Sequence, residues 1–119
     1  MKVLYFNEKL KHQCTSLKEA TKLFGGDKKM AISLLTRINA LEQASDLKEI
    51  ILIPTFRFHK LSAEWKGFFA MDVKTRRDKW RLILQPLDEN EREFVPCHID
   101  EIASVVRIVE IREVSAHYE

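Results

Sequence analysis

From Phe56 to Pro86, apolar and polar positions alternate in three short runs. Period-two alternation is the mark of a half-buried strand. In Phe56–Leu61 the aromatics Phe56 and Phe58 oppose Arg57 and His59. In Gly67–Lys74, Phe69, Met71 and Val73 oppose Phe68, Ala70 and Asp72. In Lys79–Leu84, Trp80, Leu82 and Leu84 oppose Arg81 and Ile83. The charged stretch Thr75-Arg76-Arg77-Asp78 joins the last two runs, which predicts a β-hairpin. If the apolar sets lie under a helical layer, Arg57, His59, Asp72 and Arg81 share the other face of one sheet.

Elsewhere the period changes. Lys2–Phe6 is a short β-like opening, and 7–13 is polar and ambiguous. Ser16-Leu-Lys-Glu19 is a capping box, so a helix starts there, with Leu17, Ala20 and Phe24 on its apolar stripe. Gly25-Gly26 ends it. Asp27 caps a second helix carrying Ala31, Leu34, Leu35, Ile38 and Leu41 at helical spacing. Ser45–Ile50 is a third helical turn, Ile99–Ile102 a short turn, and Val105–Val114 a last strand with apolar residues on both faces, as for a strand inside a sheet. The chain of 119 residues reads as one domain, 1–119. The expected class is α+β: an antiparallel sheet of about four strands packed on one side by an N-terminal helical hairpin.

Charge changes this picture. The net charge of +2 conceals eight basic against three acidic side chains in residues 55–85, and three against nine in residues 86–119. A basic centre suits a polyanion, whereas the acidic run 88–93 reads as a solvated loop. No apolar run is long enough for a signal-peptide core or a membrane span, which implies a cytoplasmic protein. Cys14 and Cys97 have no metal-ligand spacing and read as free thiols. His12, His59, His98 and His117 include no zinc-type pair, and no nucleophile elbow or glycine-rich phosphate loop occurs. No metal and no cofactor is implied. The helical pair does not match a helix-turn-helix, so direct DNA reading is not expected.

Basic and imidazole groups on a sheet suit metal-free RNA cleavage. RNA supplies its own 2′-hydroxyl nucleophile, and the protein supplies a base, an acid and fixed cations. Histidine as a residue type titrates in the range either proton role needs, which makes His59 and His117 the candidates. Arg57 and Arg81 offer planar forks for phosphate oxygens. Lys60, Lys66, Arg76, Arg77 and Lys79 can follow the backbone, and Trp65, Phe68 and Tyr118 can stack on bases. Each also has a plain structural use: a strand histidine is often a buried hydrogen-bonding group, and Arg81 can pair with Asp72 across the hairpin.

His59-Lys-Leu61, Lys66-Gly-Phe-Phe-Ala-Met-Asp-Val73, Trp80-Arg-Leu-Ile83 and Val106-Arg-Ile-Val-Glu-Ile111, in that order and followed by a histidine, resemble the RelE/ParE toxin superfamily. The likeness is to the HigB-like "killer protein" branch of type II toxin–antitoxin systems and covers residues 56–117. It implies a ribosome-dependent mRNA endoribonuclease neutralised by a cognate antitoxin protein. It assigns His59 as base or phosphate ligand, Arg81 as the stabiliser of the charged phosphate, and His117 as the terminal catalytic histidine, with Tyr118 beside it. The chain ends Glu113-Val-Ser-Ala-His-Tyr-Glu119 where the family pattern has aspartate-tyrosine-histidine. Without a gap Ser115 takes the histidine's place; a two-residue shift brings His117 there. A ParE-like relative that binds DNA gyrase without cleavage, or an inactive binding module of the same fold, remains open.

Overall fold

Every longer helix begins where a side chain replaces a missing turn of hydrogen bonds. Asn7 accepts from the Leu10 N–H at 2.8 Å and starts α1 (Glu8–Thr15). Ser16 accepts from Glu19 and starts α2 (Leu17–Leu23). Asp27 accepts from Met30 at 3.0 Å and starts α3 (Lys28–Gln43). Asp46 starts α4 (Leu47–Ile51). Gly25 and Gly26 both adopt positive φ between α2 and α3, a backbone state that glycine takes without a Cβ penalty. The computed structural model describes residues 1–116.

The strands are β1 (Lys2–Tyr5), β2 (His59–Lys60), β3 (Phe69–Asp72), β4 (Arg81–Leu87) and β5 (Ile108–Ser115), with a one-turn helix α5 (Ile99–Ile102) before β5. They form one five-stranded sheet in the order β1-β5-β4-β3-β2. The class is α+β, as expected, but the sheet is mixed. β1 runs parallel to β5, and the other neighbours are antiparallel. The chain leaves β1 into the helices, re-enters at the far edge of the sheet and returns last to fill the gap beside β1. That pairing joins residues more than a hundred positions apart, so no local turn signal announces it.

One face of the sheet packs on the helices. Met71, Leu82, Leu84, Val109 and Ile111 meet Leu34, Ile38, Leu41 and Ile50, all buried. Trp80 meets Phe24 edge to face at 4.8 Å, which locks the β3–β4 hairpin to the end of α2. Burying such side chains stabilises the domain by roughly 1.5–3 kcal/mol each, before chain entropy is charged.

One ambiguous segment is resolved and two local expectations are corrected. Residues 8–15 are helical, because Asn7 caps them and Leu10 and Cys14 bury one face. Phe56–Leu61 is not one extended run: Pro54–Phe56 is a 3-10 turn, Arg57 adopts φ 48°, and only His59–Lys60 is strand. The last strand starts at Ile108, since the N–H groups of Val105 and Val106 both bond back to Ile102 at the end of α5.

Candidate functional site

The hairpin register decides which side chains share the second sheet face. Asp72 lies opposite Arg81, which lies opposite Ser115. One row along, His59, Ala70, Ile83 and Glu113 follow one another across β2, β3, β4 and β5. The expected grouping of Arg57, His59, Asp72 and Arg81 is therefore present. Ala70, Ile83 and Gln85 on this face are buried too, so its middle is covered.

Asp72, with its side chain 2% exposed, is held between two guanidiniums. Arg57 Nε donates to its carboxylate at 3.1 and 3.3 Å, and Arg81 Nε lies 3.3 Å from Oδ1. Arg81 is almost as buried, at 7%. Its Nη1 donates to the carbonyls of Asp78 and Trp80, and its Nη2 donates to that of Arg76. Arg81 thus binds the inside of its own hairpin loop. Arg57 is the solvent-facing member of the trio, at 31%. Its left-handed backbone is uncommon for a side-chain-bearing residue. The ion pair with Asp72 offsets that strain.

His59 Nδ1 is 2.7 Å from the Arg57 carbonyl. A carbonyl only accepts, so Nδ1 carries the hydrogen, and in the neutral ring Nε2 is then the acceptor. Nε2 is buried and has no hydrogen-bond partner among the described residues. Arg37 on α3 donates to the carbonyls of Asp72 and Lys74 and sits 4.1 Å from the centroid of Phe56. Burial pulls its guanidinium below its ordinary pKa. It ties α3 to the end of β3 and is structural.

The basic surplus sits at the margin. Lys60 on β2, Lys66 beyond it, and Lys74, Arg76, Arg77 and Lys79 around the hairpin loop are all exposed. None forms an ion pair with another described residue. Asp78 accepts from the N–H groups of Thr75 and Trp80 at 2.8 and 2.9 Å, which fixes the loop from which these cations project.

Sequence reasoning missed a second element of the site, because it depends on a register shift. Between Ile83 and Leu84 the β4–β5 ladder slips, and Arg112 is left without a partner across the ladder. Bulges re-aim side chains. Here the Arg112 guanidinium lies 3.9 Å from the Phe6 ring centroid and 5.6 Å from that of Phe68. Beside it opens a cleft of about 490 Å³, walled by Phe6, Lys9, Gln13, Trp65, Arg112 and Glu113 among others. Trp65 meets Phe68 edge to face at 5.1 Å. Trp65, read with Phe68 as a stacking candidate, therefore lines this cleft, and Phe68 packs against it. Among the described residues, no three His, Cys, Asp or Glu side chains converge as metal ligands do, and no helix is long and apolar enough to cross a membrane. His117 and Tyr118 lie outside the described residues. No family model matches the sequence, and no curated protein matches it either.

Proposed function

We propose that the protein is the toxin of a type II toxin–antitoxin pair, acting in the cytoplasm as a ribosome-dependent mRNA endoribonuclease. The observation that carries this reading is the set of six exposed cations around β2 and the hairpin loop with no ion pair among the described residues, on a molecule that also has an aromatic-walled cleft between α1 and β5. That combination fits a single-stranded polyanion whose bases stack. Cleavage in this reading needs no metal. His59 Nε2, the acceptor nitrogen of the neutral ring, takes the 2′ proton. Arg57 holds the phosphate from its solvent-facing side, and Arg81 fixes Asp72 and the loop from behind. The resemblance adds His117 as the acid, Tyr118 beside the RNA, and a cognate antitoxin that covers the basic surface until it is removed.

A second reading rests on a specific observation. His59 Nε2 is covered and Arg81 points inward, which favours a toxin that binds without cutting, such as a DNA gyrase inhibitor, or an inactive module.

Mapping new 5′ ends of an mRNA in a reconstituted translation reaction separates them. Cuts that require ribosomes and disappear in folded His59→Ala support the nuclease. Normal translation with no cuts sinks it, and gyrase inhibition under the same dose establishes the rival.

A further inference from the structure

We infer that the cleft between α1 and β5 is a base-recognition pocket selective for guanine, with Glu113 as the residue that reads the base; this rests on the RNA reading above. Glu113 lies opposite Ile83, so it is on the same sheet face as His59, three strands further along the row. It lines the cleft, is only partly buried, and its side chain makes no hydrogen bond or ion pair with a described residue. Its neighbour Arg112 does not neutralise it, being held near Phe6 at 3.9 Å and paired with Glu110 at 3.8 Å.

A carboxylate only accepts hydrogen bonds. Its two oxygens match two adjacent donors. Among the four RNA bases, guanine alone presents two such donors on its Watson–Crick edge, N1–H and the 2-amino group. Adenine and cytosine place an acceptor beside their donor, which a carboxylate repels. Uracil flanks its single N–H with two carbonyls. Planar groups for stacking stand in the same wall, the Trp65 indole and the Arg112 guanidinium. Lys9 on α1 is in reach of a flanking phosphate. The pocket therefore pairs one sequence-reading acceptor with sequence-neutral stacking and charge.

The test uses fluorescein-labelled hexauridylates with one central residue changed to guanosine, inosine or adenosine, titrated by anisotropy into the full chain. Inosine keeps N1–H and lacks the 2-amino group. The guanosine oligonucleotide is expected to bind about tenfold tighter than the adenosine one, the size of discrimination that a bidentate contact supplies, with inosine between them. Glu113→Gln, close in shape, is expected to bring all three within about twofold of one another. Equal or undetectable binding of guanosine and adenosine oligonucleotides to the wild type overturns the inference. So does a guanine preference that survives Glu113→Gln. Ribosome-dependent cuts without base preference leave the nuclease standing and remove the pocket. A guanine preference lost in Glu113→Gln, with no cuts on ribosomes, does the reverse.

Discussion

Asp72 is the residue on which the second face depends. A buried carboxylate between two guanidiniums is stable only while both sides are present. Removing the charge leaves Arg81, 7% exposed, with no carboxylate at its Nε. Asp72→Asn is therefore expected to lower the unfolding free energy by about 3 kcal/mol, measured by urea denaturation. Arg57→Ala, at a partly exposed position, is expected to lower it by about 1 kcal/mol or less. Comparable losses for both changes would show that Arg57, not Arg81, is the partner that matters. Arg81→Ala belongs with Asp72→Asn, so lost activity in that variant reports folding as much as chemistry. The thiols give a second prediction at this scale. Burial pushes Cys14 up to about 12 and also raises Cys97. Both favour the neutral thiol in the fold. Their stabilising contribution is complete below the ordinary thiol pKa of 9.0 and, for Cys14, is lost as pH rises from there towards about 12. Burial raises the Tyr5 phenol as well, and its hydroxyl is buried without a partner among the described residues, adding to the same alkaline loss. At pH 8, iodoacetamide followed by mass spectrometry is expected to label Cys97 slowly and Cys14 only after unfolding. Equal native labelling of both would show that the Cys14 site opens.

Elements set by short-range chemistry are the ones a sequence discloses. Ser16 and Asp27 cap the helices they were expected to cap, Gly25-Gly26 turns between them, and Thr75–Asp78 closes the hairpin. These devices act within four residues, and their energies are individually small. Asp27→Ala is expected to cost about 1 kcal/mol and Asp27→Asn much less, read from the same urea curves. A null effect for Asp27→Ala would mean that packing of α3 alone holds its first turn. What the sequence hid is long-range. The parallel β1–β5 pair, the slip opposite Ile83 and the resulting position of Arg112 over Phe6 need partners far apart in the chain. The same holds for the candidate site. His59, Arg57, Asp72 and Arg81 were legible together because one hairpin and its approach carry them. The Glu113 cleft was not, because its walls come from the link between β1 and α1, from α1, from β5 and from the link between β2 and β3. Arg81 was placed on the right face, yet its burial against the carbonyls of Arg76, Asp78 and Trp80 depends on a loop conformation that alternation does not encode.

At the scale of the whole molecule, the division of charge is the property that acts over distance. Lys60, Lys66, Lys74, Arg76, Arg77 and Lys79 cluster around β2 and the hairpin loop, whereas the acidic run 88–93 follows β4 at its other end. A field of this shape raises the encounter rate with a polyanion and orients it toward the basic end. Each phosphate that a cation neutralises releases counterions, so affinity falls with salt by roughly 0.7 in log–log slope per contact on a single strand. The double reversal Arg76→Glu/Arg77→Glu is therefore expected to weaken binding to any single-stranded RNA and to flatten the salt slope by roughly 1.4. Both side chains are exposed, and Arg81 uses only the main-chain carbonyl of Arg76, so stability should stay within about 0.5 kcal/mol of the wild type. Glu113→Gln should leave that slope unchanged while altering base preference, because it changes the reading of a base and not the count of phosphates. A slope that is flat in the wild type would place the polyanion elsewhere, and the cations of the hairpin would then serve only to keep the β2 edge soluble.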